Sequence, residues 1–366
     1  MSSLALAAAL AFGSGDLDAR LVRVRAELDV FAPSGAHRDC NVKLAAPLCL
    51  PPQVPVRVAV TSDPPESVTS WRIDDEGFLS VDLRDQTGEK HLALAVQVDV
   101  LVMNSIGFDD TARKATLLKR AAGGPVKPYL RALPGAEPDD PEIAKAAAEL
   151  KGKASDVLAL VRAADELAGR RAREEMNATN DAAEAMKKGA ATRLGRARLV
   201  AALVLAHGLP SRLLAAIPAR GGGDVHFLGD FHAGEAGWLR LDHLHRKVPA
   251  FPWPELEDVV VAEINADTPI AANARFRTFF CRGGLTAGPK TAGATLFDTK
   301  EIWSGSCSRA TAKEILPAAS AAFAEGRAKG RAGAEVLELL AQPQARKSAA
   351  LVEWSAPLVK ALAETR

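Results

Sequence analysis

The stretch EAMKKGAATRLGRARLVAALVLAHGLPSR, Glu184 to Arg212, decides the fold. From Arg193 to His207 the apolar residues Leu194, Ala197, Val200, Ala201 and Val204 recur at the spacing of one helix face. Gly208 and Pro210 then stop the helix, glycine because it tolerates a left-handed turn and proline because it has no N–H to donate. Beyond the stop the pattern changes to apolar runs bounded by turn residues, at 211–218, 224–231 and 236–241, which read as strands. A helix feeding an antiparallel sheet is an α+β arrangement.

Working outward, the residues before this stretch are also helical. Asp140 can cap a helix with Pro141 at its first position and Ile143, Ala147 and Leu150 on one face. A second helix starts near Ser155, with Val157, Leu160, Val161, Ala164 and Leu167 as its stripe. Residues 104–138 have no period and carry Gly123, Gly124, Pro125, Pro128 and Pro134, as a connecting segment does. From Leu17 to Met103 short alternating runs, such as Val54, Val56, Val58 and Val60, or Leu92, Leu94, Val96, Val98 and Val100, predict half-buried antiparallel strands packed as a sandwich.

Downstream, Leu256–Ile264 and Arg275–Phe280 read as strands extending the core sheet. Gly283 to Gly293 reads as a loop, because it lacks the Lys-Ser/Thr ending of a phosphate-binding loop. After Ser308 stripes such as Val336, Leu339 and Leu340, then Leu351, Val352, Leu358 and Leu362, predict amphipathic helices. The expected organisation is a β-sandwich at 15–103, a linker at 104–138, a helix-plus-antiparallel-sheet core at 139–246, and a C-terminal extension at 247–366 with strands and then helices.

With 46 basic and 45 acidic residues the formal charge is +1, which provides no long-range field for nucleic acid or an anionic membrane. The apolar run of residues 4–12 is too short to span a bilayer. Residues 1–14 read equally as a signal peptide, hence a secreted or periplasmic protein, or as a plain leading helix that leaves the cytoplasm open. Cys40, Cys49, Cys281 and Cys307 permit two disulfides or none, and in an oxidising compartment Cys40 and Cys49 are the expected pair.

The segment from Glu184 to Arg212 resembles the surroundings of the catalytic cysteine in the transglutaminase-like superfamily, whose fold is papain-like. Those proteins place a cysteine at a helix N-terminus, an alanine four residues on, then an apolar helix and a Gly-Ile-Pro-Ala-Arg turn. Ala197, Gly208, Leu209, Pro210 and Arg212 hold the corresponding places. Counting back from Gly208 and forward from Glu184 both place the cysteine position at Arg193, and the glycine usual two residues earlier is Ala191. The second half of the motif, HFLGDFHAGEAGWLRLD, keeps His226, Asp230, Gly237, Trp238 and Asp242, with Leu228 where a tryptophan is usual.

This resemblance, over residues 139–246, implies a remnant catalytic triad in which His226 is the general base, Asp242 fixes its tautomer, and Arg193 replaces the nucleophile. A guanidinium stays protonated and attacks nothing. The expectation is a non-catalytic protein- or peptide-binding member with no cofactor and no bound metal. Arg193 is then expected to pair with Asp242 or Asp230, since a cation at a helix N-terminus needs a partner or water. Thr192 is one residue early for a substitute hydroxyl.

Two other readings stay open. One is an active cysteine-type acyl transferase or peptidase, if a cysteine reaches His226. The other is a metal site, since His226, His232, His243 and His245 cluster with Asp230 and Asp242.

Overall fold

In the computed structural model the alternating segments form two facing antiparallel sheets. The structure describes residues 17–50, 53–73, 78–103, 124–152, 154, 156–233, 238–242, 258–264, 278–291, 295–308, 321 and 360–361. The first dozen residues and the amphipathic stripes expected after Ser308 lie outside them.

Strands β1 (Leu17–Ala32), β2 (Ala36–His37), β3 (Asn41–Ala45), β4 (Gln53–Asp63), β5 (Val68–Ile73), β6 (Phe78–Leu83), β7 (Gln86–Thr87) and β8 (Lys90–Met103) follow in order. β8 runs between β1 and β4, while β3, β6 and β5 form the facing sheet. Alternation explains the pairing. Val24, Ala26, Leu28 and Val30 of β1 are buried, as are Leu94, Val96 and Val98 of β8, whereas Arg25, Glu27 and Asp29 between them are not. Asp99 interrupts the polar face as a buried charge, and Arg23 answers it with two hydrogen bonds, at 2.7 and 3.0 Å.

The helices of the core keep the predicted faces. Helix α1 (Pro141–Ala148) is capped by Asp140, which accepts from the N–H groups of Glu142 and Ile143. Helix α2 (Val157–Arg171) is capped by Asp156 and buries Val157, Leu160, Val161, Ala164 and Leu167. The sequence did not signal the next three elements, β9 (Arg173–Thr179), α3 (Ala182–Lys188) and β10 (Ala190–Ala191). Only the ends of β9 pair, Arg173 with Ala190 and Thr179 with Ala191, so residues 174–178 bulge outward with Met176 exposed. Helix α4 (Arg193–Leu205) then crosses the sheet made by β11 (Ser211–Pro218), β12 (His226–His232), β13 (Trp238–Asp242) and β14 (Asp258–Ile264). The order is β13-β12-β11-β14, all antiparallel.

The C-terminal strands correct one expectation. β14 does extend the core sheet, but β15 (Phe279–Arg282) pairs with β3 of the sandwich. Within the glycine-bearing segment read as a loop, β16 (Thr286–Pro289) pairs with β1, and β17 (Phe297–Cys307) follows it there. The chain thus leaves the sandwich, builds the core and returns. A return of this kind is invisible to local periodicity, which reports that a strand exists but not which sheet it joins.

The core sheet has two unlike faces. Leu213, Ala215, Ile217, Phe231, Leu241, Val259 and Val261 belong to the large apolar core that includes α4. Leu214, Ala216, Leu228 and Val260 point the other way and form a separate cluster with Leu48 and Leu50 from the sandwich. Among the described residues no helix is long and apolar enough to cross a membrane.

Candidate active-site region

The start of α4 is where the sequence placed the lost nucleophile. Thr192 is the N-cap: its Oγ1 accepts from Gly195 N–H at 3.1 Å and donates to Asn180 Oδ1. Both capacities of that hydroxyl are therefore committed. Gly195 lies so close to the carbonyl of Thr179 that a Cβ would overlap it, which binds α4 to the end of β9. Arg193, the first helical residue, is half exposed and donates from Nε to Glu174 Oε1 at 2.9 Å. The expected pairing with Asp230 does not form. Glu174 stands on the bulge of β9, an element the sequence reading missed, and it reaches the arginine while both side chains stay partly exposed.

His226 opens β12 and is 4% exposed. Its Nε2 lies 3.0 Å from Oδ1 of Asp258, which makes an ion pair when the imidazole is protonated. The partner expected from the sequence was Asp242. Asp242 sits opposite Leu228 in the β12–β13 register, and its side chain lies outside the described residues. Asp258 comes from the far side of β11, where it opposes Pro218, while His226 opposes Ala216. The small Ala216 side chain on the intervening strand leaves the room across which the two groups meet. No spacing in the sequence signalled Asp258, because the register of β14 on β11 decides its position.

By strand alternation His226 shares a face with Leu228 and Asp230, the face that carries the separate apolar cluster, whereas α4 packs on the other. Arg193 and His226 thus belong to different surroundings, one at the solvent-facing start of a helix and one beneath the sandwich.

Four residues along β12, Asp230 is fully buried between two arginines. Arg212 donates to its Oδ2 from Nε (3.1 Å) and Nη2 (2.9 Å), and Arg240 donates to Oδ1 from Nε (2.9 Å) and to Oδ2 from Nη2 (3.2 Å). Burial alone pushes this carboxyl up, but Arg240 and Arg212 outweigh it and hold it below the ordinary value. The Arg212 guanidinium stacks 4.3 Å from the Trp238 ring and faces Glu263 at 3.6 Å. Burial raises the Glu263 carboxyl in spite of that arginine. His232 meets Trp238 edge-on at 5.2 Å, and burial, followed by Arg212, lowers its basicity. Arg212, Asp230, Arg240 and Trp238 thus form a framework that ties β11, β12 and β13 together.

The remaining nucleophile and ligand candidates are dispersed. Cys40 is a buried free thiol, so the Cys40–Cys49 bridge is not made. Cys281 lies in β15 opposite Val42, and burial pushes its thiol up to about 11. Cys307 ends β17, and its side chain lies outside the described residues. Among the described residues no three His, Cys, Asp or Glu side chains converge as a metal site, and His243 and His245 lie outside them.

No family model matches the sequence, and no curated protein does. Among solved structures, a proposed cysteine protease from Cytophaga hutchinsonii is similar with a TM-score of 0.51 at 15% identity, over 79% of this chain and 98% of that one. The periplasmic domain of TgpA from Pseudomonas aeruginosa gives 0.29 at 16% identity, over 64% and 88% of the two chains. A proposed protease from Parabacteroides distasonis gives 0.26 at 15%, over 58% and 44%. The likeness to the first is a likeness of fold.

Proposed function

We propose that this chain is a non-catalytic protein on a transglutaminase-like fold, acting as a protein- or peptide-binding module. The observation that carries the proposal is the start of α4, where the resemblance puts a thiolate and the chain has Arg193 ion-paired with Glu174. The remnant triad adds to it, since His226 is engaged by Asp258 and is buried. The neighbouring Thr192 hydroxyl is spent on capping and on Asn180.

A second reading, a cysteine-type acyl transferase, requires a thiol at His226. Cys49 favours it only by position, being next to Leu48, whose N–H donates to Val260 O at 3.0 Å. Leu48 and Leu50 turn towards the small apolar cluster, whereas Cys49 packs against the large core.

One experiment tests the proposal. The protein is incubated with glutamine-containing peptides and a primary amine, and its cysteine-bearing peptides are then read by mass spectrometry. The expected result is no acyl adduct and no amine incorporation. A covalent acyl adduct on any of the four cysteines overturns the non-catalytic reading.

A further inference from the structure

We infer that the N-terminal sandwich is a latched cap over the His226–Asp258 pair, with Gln53 as the latch. Three kinds of contact carry this, at different places along one seam. The first is polar. Gln53 is 1% exposed, and its side-chain amide behaves like an added strand residue on the outer edge of β14. Val260 N–H donates to Gln53 Oε1 at 2.8 Å, and Gln53 Nε2 donates to both Val260 O and Leu48 O at 2.8 Å. Leu48 N–H adds a bond to Val260 O at 3.0 Å.

The second contact is apolar. Leu50 and Leu48 pack on Ala216, Leu214, Leu228 and Val260. Ala216 is the cross-strand neighbour of His226, and Val260 follows Asp258 by two residues in β14, so the covered patch adjoins the pair.

The third lies beyond His226, where the β11–β12 connection meets β17. Thr299 accepts from Gly222 N–H at Oγ1 (2.7 Å) and from Gly221 N–H at its carbonyl (3.0 Å), and its hydroxyl donates to Pro218 O at 2.8 Å. A Cβ on Gly222 would collide with the Phe297 carbonyl, so only glycine permits this approach. Arg220 and Glu301 close the edge at 2.8 Å.

The Gln53 amide and the small apolar patch are the contacts that adjoin the pair, so loosening them exposes the imidazole by a local opening while the large core stays folded. The cap concerns access and stands apart from the presence of a thiol, so it can fail while the non-catalytic reading survives, and the reverse.

The test is carbethoxylation with diethyl pyrocarbonate at neutral pH, resolved by peptide mass spectrometry on the full chain. His91, whose side chain is 64% exposed, is the internal standard, and His207, bonded to Ala147 O within the core, reports on core integrity. In the wild type His226 is expected to react at least about tenfold more slowly than His91. Gln53→Ala should raise the His226 rate by about tenfold, with His91 and His207 unchanged. If Gln53→Ala does not fold, Arg220→Ala loosens the other end of the seam and should give a smaller rise of the same sign. Wild-type His226 reacting as fast as His91 overturns the cap. So does an unchanged His226 rate in the folded variant, or a rise that His207 matches.

Discussion

At the residue scale two carboxylates of the core sheet, Asp230 and Glu263, behave oppositely. Asp230 is held below the ordinary carboxylate range by Arg240 and Arg212 against its burial. A carboxyl lowered on folding contributes stability above its unfolded value and loses it as pH falls through the folded value, so its share should be complete at neutral pH and begin to fall below about pH 4. Asp230→Ala removes the buried carboxylate to which both guanidiniums donate and should cost about 3–5 kcal/mol at pH 7, read as a lower urea midpoint. Glu263 is raised chiefly by burial, so its ionisation opposes folding as pH rises beyond the ordinary value for glutamate. Glu263→Gln should therefore leave stability at pH 7 equal or higher, and a marked loss would show that its contact with Arg212 outweighs burial. Arg193 teaches a related point. Its sequence position demanded a carboxylate, but the partner came from Glu174 on an unforeseen bulge, since a cation on an exposed helix start needs only the nearest acid that reaches water with it.

At the element scale, helix α4 was legible and the three elements just before it were not. The apolar spacing from Leu194 to Val204 and the Gly208–Pro210 stop predicted a helix that the structure begins at Arg193 and ends at Leu205. Strand β9, with sequence REEMNAT, has no alternation to read, because its pairing is two bridges separated by a bulge. That bulge and α4 are joined by Gly195. Gly195→Ala would drive a Cβ into the Thr179 carbonyl, and the expected loss is about 1–3 kcal/mol although alanine is the better helix former. Equilibrium denaturation decides it, and a neutral or stabilised variant would mean that the helix start shifts freely on β9.

At the scale of the whole molecule, the seam and the returning strands make one cooperative body of what the sequence presented as a succession of domains. Gln53→Leu keeps the bulk but leaves Val260 N–H buried without its acceptor, and should cost about 1–3 kcal/mol. Calorimetry should show the unfolding of sandwich and core beginning to separate, whereas a sharp unshifted transition would remove Gln53 from the coupling. The thiols offer a second reading of the same body. Cys281 is pushed up to about 11, so native-state alkylation near pH 8 should be slow and should become rapid on unfolding. The sequence by itself determined the α+β class, the sandwich, the capped helices and the sheet from Ser211 to Asp242, because each is written in local periodicity and stop signals. It also placed His226, Asp230 and Trp238 on neighbouring strands. Only the tertiary structure decided that β15, β16 and β17 return to the sandwich, that Asp258 meets His226 and that Gln53 closes the seam. Those outcomes depend on strand register and on contacts between residues far apart in the chain, which carry no local pattern.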